Sequence, residues 1–473
     1  MYHGKKRWGG TLFYFYLAAT ATLAIFVAAG TFIGTRASDP KDYSLGGRRS
    51  SAAGVTGILL GALVGGASTV GTVQMAYSHG MTAVWFTLGG GIGCLLLGLR
   101  FAIPLRNSNI TTVADYLAKS YGGKESTCGR SISLTATISS TLGTFISISA
   151  QFLSCIALLK GLFPISSSIA SLLAGFSIIG FIAAGGLKSF STLGGAKIIL
   201  LYFVLLSCFV MAIVNGGTFS FVTSQLDADP WFNPFGRGFA PEIGYLASMI
   251  VGVFTTQIYI QSLAAAKDAQ TAKKGALASA LLMPPMGFLG VWIGLSVRAR
   301  GIEMRPDGVL SWFIMDSFPP FLGGIIWGGI LITVIGCASG LILGISTNIV
   351  KNLIPENFIQ KHGDREIIIH RLLIGAIVAA ASSAGITGAG SMILEWSYLS
   401  MGLRGAGTFL PFAAAVMRPD SLSPKWALAS SVAGLSGTIL WGIASLPGDP
   451  LFAGLAVSAA CVLIGSKSKK QYI

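Results

Sequence analysis

The chain has 473 residues, 53% of them hydrophobic, with 63 glycines and a mean hydropathy of +0.73. Only 10% are charged, 32 Lys+Arg against 17 Asp+Glu for a net charge of +15, whereas soluble domains carry about 25% charged residues. Too few charges remain to cover a soluble surface, which excludes a soluble enzyme and a collagen-like or disordered chain; the solvent that tolerates this much apolar surface is the bilayer.

A span needs about 20 mostly apolar residues. Thirteen runs of that kind follow one another: 11–34, 54–78, 82–104, 131–159, 163–186, 193–214, 241–266, 276–299, 318–350, 366–387, 389–417, 425–445 and 448–466. The basic residues crowd into alternate breaks: Arg36, Lys41, Arg48 and Arg49 after the first run, then Arg106 to Arg130, Lys267 to Lys274, Lys351 to Arg371, and the tail with Lys467, Lys469 and Lys470. Cytoplasmic loops carry such an excess, so a multi-pass protein of the cell membrane with its N-terminus outside and C-terminus inside is expected. Basic residues placed this way suit a lipid surface better than phosphates, and no nucleic-acid partner is expected. No obligatory protein partner is evident either.

The six cysteines fall mostly within apolar runs without C-x-x-C spacing, and read as packing residues. The four histidines are scattered, and there is no G-x-x-x-x-G-K-[ST] loop to support ATP-driven transport. The chain is not expected to be an enzyme.

Polar groups inside a bilayer are costly, so those present are candidates for an ion or solute path. In the second run, Gly61, Gly65, Gly66 and Gly71 interrupt an apolar stretch around Ser68 and Thr69. Backbone can unwind there if its carbonyls meet an ion, a cavity or protein; close packing of small residues is the other reading. In the ninth run, Ser339, Leu343, Ser346 and Thr347 share one helix face. Two hydroxyls and a carbonyl suit a hard monovalent cation such as Na+, or the hydroxyls bond back to their own helix. Isolated Lys197, Gln151, Gln257, Gln261, Glu395 and Arg404 complete the set, with Gln151 the best placed to line a path and Lys197 readable as a snorkelling lysine one turn inside its helix.

Several segments resemble the sodium:solute symporter family. "DYSLGGRRSSAAG" leads into "GALVGGASTVGTVQMAYSHG", similar to the family's loop and broken first core helix. "TTVADYL", "QSLAAAKDAQTAKKGAL" and "FPPFLGGIIWGGILITVIGCASGLILGISTNIVKNLI" follow in the family's order. The resemblance implies an all-α polytopic membrane protein of about 13 transmembrane helices around a five-plus-five inverted repeat of the leucine-transporter type. The parts would be a leading helix and loop (1–53), a first repeat (54–214), an extracellular loop with the second repeat (215–417), and two trailing helices with a basic tail (418–473). The broken helices would lie near Gly65 and Gly252.

The function implied is secondary active, sodium-coupled symport of a small organic solute by alternating access, with Na+ as the transported ion and the lipid bilayer and solute as partners. Carried over by position, the sodium ligands would be Gly61, Val64, Leu343, Ser346 and Thr347, and the solute lining Ser68, Thr69, Gln151, Gly252 and Gln257. A lining so poor in fixed charge suits a neutral, zwitterionic or monoanionic solute. One departure stands out: where the family usually has an Asp in the fifth core helix, "GGLKSFSTLGGAKIILL" has Gly194, with Lys197 one turn on. At most one sodium ion is then expected. Three readings of Lys197 stay open: snorkelling, support of a helix end, or an ammonium standing in the sodium site of a proton-coupled or uncoupled carrier.

Overall fold

The computed structural model describes residues 12–34, 48–182, 186–354 and 364–466. All of "DYSLGG", the N-terminal basic residues and the basic tail beyond Ser466 lie outside the described residues. The described chain is helical, with two isolated bridges, Ser50 to Ala266 and Leu422 to Ser466, as its strand-like pairings. Helices are what apolar runs must form in lipid, where each backbone N–H and C=O has to be met within the segment.

The principal helices are α1 (Leu12–Gly34), α2 (Ala52–Leu63), α3 (Thr72–His79), α4 (Trp85–Leu96), α5 (Thr127–Leu162), α6 (Ser167–Ile182), α7 (Gly186–Val214) and α8 (Phe239–Thr255). They continue with α9 (Gln257–Ala264), α10 (Ala269–Ala299), α11 (Pro320–Asn352), α12 (Asp364–Thr387), α13 (Ile393–Ala406), α14 (Phe409–Met417), α15 (Pro424–Ile443) and α16 (Pro450–Gly465). Polar residues at the run edges start several of them: Ser51 accepts from the Gly54 N–H at 3.2 Å, Ser126 from Gly129 at 2.9 Å and Asp268 from Thr271 at 2.7 Å.

Among the described residues seven helices are long and apolar enough to cross a membrane, or eight if the bent pair α8–α9 is one span. The shorter count than the thirteen runs arises because breaks divide several runs and because the apolar stretches Leu12–Phe26, Ser167–Ile182 and Pro450–Gly465 are each shorter than a span. α2 stops at Leu63, Val64 is extended (φ −96°, ψ 111°), and a π-turn at Ala67–Gly71 leads into α3. α8 and α9 meet at 45° about Thr256, which is extended at φ −79°, ψ 118°. The eleventh run divides at Gly407 and Thr408.

The bundle is graded from inside to outside. α11 is buried over 94% of its apolar window and α5 over 83%, against 33% for α12 and α15. These two helices with α2 make the centre, and the side chains of Phe176, Ile199, Leu281 and Leu440 project outward as lipid-facing surface. α2 and α7 touch backbone to backbone: a Cβ on Gly194 would lie 2.4 Å from the Gly57 carbonyl oxygen.

Two boundaries differ from the sequence reading. α7 starts at Gly186, ahead of the expected 193, because helix continues through Lys188 and the Ser/Thr/Gly stretch that hydropathy reads as loop. Lys197 is therefore three turns inside α7. The second break lies at Thr256; Gly252 is an ordinary α8 residue whose carbonyl accepts from the Thr256 N–H at 3.0 Å.

Candidate functional site

α2 ends in the middle of the bundle, so its last carbonyls have no helical partners and carry the negative end of the helix dipole. Side chains from three other helices meet them. Lys197 Nζ, from α7, donates to the Gly61 carbonyl at 2.5 Å and to Val64 at 2.9 Å. Cys337 Sγ of α11 donates to the Ala62 carbonyl at 2.9 Å, and Tyr259 Oη of α9 reaches the same oxygen at 3.5 Å. The approach depends on the two glycines: Gly57 and Gly194 bring the helices into backbone contact, so that one turn on in each, Lys197 lies over Gly61. Its side chain runs past Gly336 of α11, where a Cβ would stand 3.3 Å from Lys197 Cδ and 3.4 Å from Nζ. Lys197 is 3% exposed, which overturns the snorkelling reading.

The five residues carried over as sodium ligands do not come together. Gly61 and Val64 share the Lys197 ammonium, but α11 faces them with Gly336 and Cys337. Leu343, Ser346 and Thr347 lie seven to eleven residues further along the same continuous helix, about 10 to 16 Å at 1.5 Å per residue. There Ser346 Oγ is hydrogen-bonded to His370 Nδ1 of α12, close to the Lys351–Glu366 ion pair at 2.7 Å. A helix-face serine can serve a helix–helix contact as well as an ion, as Ser346 does here, while Thr347 Oγ1 has no hydrogen-bond partner among the described residues. Around the carbonyl end of α2 the partners are N–H, S–H and O–H donors. As arranged, the Gly61 and Val64 carbonyls are engaged by the ammonium and the Ala62 carbonyl by Cys337.

Of the solute residues, Ser68, Thr69 and Gln151 gather at the first break. Ser68 Oγ pairs with the Gly65 N–H at 3.0 Å and Thr69 Oγ1 donates to the Gly65 carbonyl at 2.7 Å. Gln151 Oε1 of α5 accepts from the Gly66 N–H at 2.8 Å. Side chains of Gln151, Ser154 and Cys337 fill the space a Cβ at Gly65 or Gly66 would need. Gly252 lies against Met401 of α13. Gln257 points elsewhere: its amide accepts from the Val113 N–H at 3.3 Å and donates to the Thr111 carbonyl at 2.8 Å. It ties the second break to the short helix Val113–Ser120 and does not join Gln151.

Arg404 is a central residue that the sequence reading left without a role. At the end of α13 it is 0% exposed, and it donates to Thr256 Oγ1 at 2.6 Å, to Ser400 Oγ at 2.5 Å and to the Ser400 carbonyl at 3.3 Å. Its signal in the sequence is an arginine inside an apolar run.

Comparison with known proteins places this geometry. Sequence comparison with curated proteins finds no match. Among solved structures, a Na+-coupled sialic acid symporter in a substrate-bound outward-open state aligns with a TM-score of 0.80 and 16% identity, over 96% of each chain. Mhp1, a nucleobase-cation-symport-1 family transporter in a closed conformation with bromovinylhydantoin bound, aligns at 0.54 and 14% identity over 90% of this chain and 94% of that one. MhsT in complex with L-phenylalanine aligns at 0.54 and 12% over 88% and 98%. At these identities the likeness is one of fold. The family model for sodium:solute symporters matches residues 43–389, and the chain belongs to the sodium:solute symporter family.

Proposed function

We propose that the chain is a multi-pass secondary carrier that moves a small organic solute by alternating access, with the Lys197 ammonium standing where the family would hold a sodium ion. The supporting observation is the pair of hydrogen bonds from Lys197 Nζ to Gly61 and Val64, at 2.5 and 2.9 Å. The two interrupted spans, α2–α3 and α8–α9, would each open a five-helix repeat, 54–214 and 241–417. Paired interruptions of this kind mark a midplane binding site in inverted-repeat transporters. Ser68, Thr69 and Gln151 at the first break are the lining carried forward for the solute.

A fixed ammonium can hold the end of α2 against α7 and α11 as an ion would, without being transported. Solute movement would then draw on a gradient other than sodium, or on none. Family membership favours the second reading, sodium-coupled symport, in which Lys197 leaves the carbonyls to admit the ion.

Uptake in proteoliposomes made with and without a sodium gradient tests the first reading. Equal uptake in wild type, and a gain of sodium dependence in K197A, is expected. Wild-type uptake that collapses without sodium would reject it in favour of the second.

A further inference from the structure

We infer that the solute carried, on the reading above, is an organic anion, and that Arg404 receives its oxyanion group at the break between α8 and α9. Arg404 is the largest fully buried side chain described, and its hydrogen-bond partners, the Thr256, Ser400 and Tyr259 oxygens, are all neutral. Among the described residues no carboxylate forms an ion pair with it. Among the described acids, Asp115, Asp268 and Glu366 sit at helix starts towards one end of the bundle and Glu242, Glu395 and Asp449 towards the other, and the rest, such as Glu125, Glu303, Asp316 and Asp420, lie in connections or short helices between the spans.

Among the described residues the centre thus holds two cations and no anion. Lys197 is the second: it bonds Gly61 and Val64 on either side of Ala62, whose carbonyl Tyr259 meets, and Tyr259 is in turn hydrogen-bonded to Arg404. A buried charge without a counter-charge is strongly unfavourable, and an incoming anion cancels that cost. Arg404 also acts at a helix start. Thr256, which its guanidinium holds, is the residue before the first turn of α9, where free N–H groups and the positive end of the helix dipole favour an anion. The planar fork of a guanidinium matches a carboxylate with two parallel hydrogen bonds. Ser139 of α5 bonds the Leu403 carbonyl at 2.8 Å and fixes the end of α13 that presents Arg404.

Arg404 can be removed without stranding a donor. Thr256 Oγ1 still donates to the Gly252 carbonyl at 2.6 Å and Ser400 Oγ to Gly143 at 2.5 Å. R404M without ligand should therefore melt at or above the wild-type temperature. The binding test is thermal unfolding of the purified full chain with monocarboxylates and their amides: propionate and propionamide, benzoate and benzamide, nicotinate and nicotinamide. At least one carboxylate should raise the wild-type Tm while its amide does not, with the shift abolished in R404M and partly kept in R404K. Equal shifts from acid and amide, no carboxylate shift, a shift surviving in R404M, or an R404M that melts well below wild type overturns the proposal. Counterflow of the same probes in proteoliposomes separates the two ideas. Binding without counterflow rejects the carrier and leaves the anion site; counterflow of a neutral solute undiminished in R404M rejects the anion site and leaves the carrier.

Discussion

Lys197 has two consequences that can be measured apart from transport. Its ammonium satisfies the carbonyls of Gly61 and Val64 in a site that water does not reach. Lys197→Met removes the donors and leaves both oxygens unmet, at about 1–3 kcal/mol for each buried acceptor. The variant should unfold at a lower temperature than wild type in sodium-free buffer. Lys197→Ala opens space beside Gly336 in which a cation could reach the same carbonyls, and binding to the folded state raises stability by mass action. Its Tm should then climb with added NaCl beyond the change seen with choline chloride, while wild type responds equally to both salts. A sodium-specific rise in wild type that K197A lacks would mean the lysine supports an ion and does not replace it. Lys197 was legible in the sequence as a charge inside an apolar run, and its partners Gly61 and Val64 only through the family resemblance, on the reading that sets the ammonium in the sodium site. They are backbone oxygens, which no side-chain pattern announces. Ser346 shows the reverse, part of a strong pattern whose hydroxyl turns to His370 on a helix that enters the fold later in the chain.

At the scale of the helices, the crossing of α2 over α7 decides which side chains can reach the centre. A Cβ on Gly194 would meet the Gly57 carbonyl oxygen at 2.4 Å, and backbone cannot give way as a side chain can. The carboxylate usual in the family has no room at this position while the helices stay in contact. Gly194→Ala should cost about 1–3 kcal/mol, the usual range for overpacking, whereas Gly195→Ala, with nothing within 4 Å of the added Cβ, should be neutral or slightly stabilising, since Ala favours helix over Gly. Thermal unfolding of the two variants side by side checks this, and equal melting temperatures would show that the crossing is looser than described. Glycine richness in the second run was a readable sign of a break. The second break was displaced from Gly252 to Thr256 because its cause is a local extended residue, with no clustered glycines to mark it. The start of α7 was missed for a related reason: hydropathy finds where lipid begins, while helix can continue past that point through polar residues.

For the whole molecule, hydrogen bonds between connections define two ends. At one, Arg48 donates to Asn109 Oδ1 at 2.6 Å, Arg106 Nε to the Ala266 carbonyl at 2.6 Å, Gln257 bonds Thr111 and Thr112 bonds Asn352. At the other, Tyr77 Oη donates to the Ile302 carbonyl at 2.6 Å, Trp85 Nε1 to Pro234 at 2.7 Å, and Arg237 pairs with Glu395 at 3.0 Å. Lys119, Lys124, Arg130, Lys267, Lys273 and Lys274 accompany the first end, and an excess of Lys and Arg in short loops marks the cytoplasmic face. On the orientation expected from that excess, Cys128, partly exposed at the start of α5, would face the cytoplasm, and the turn holding exposed Ser166, between α5 and α6, the outside. In a C461S background, which removes the other partly exposed thiol, a membrane-impermeant maleimide added to intact right-side-out vesicles should leave Cys128 unlabelled until detergent is added. With S166C introduced and Cys128 changed to Ser, the same reagent should label without detergent. The opposite pattern would reverse the orientation and place the break of α2, with Lys197 upon it, nearer the other face of the membrane. Because α5 alone separates the two positions, the experiment reads the direction of a single helix, and through the continuous bundle that direction fixes the side from which each broken helix enters.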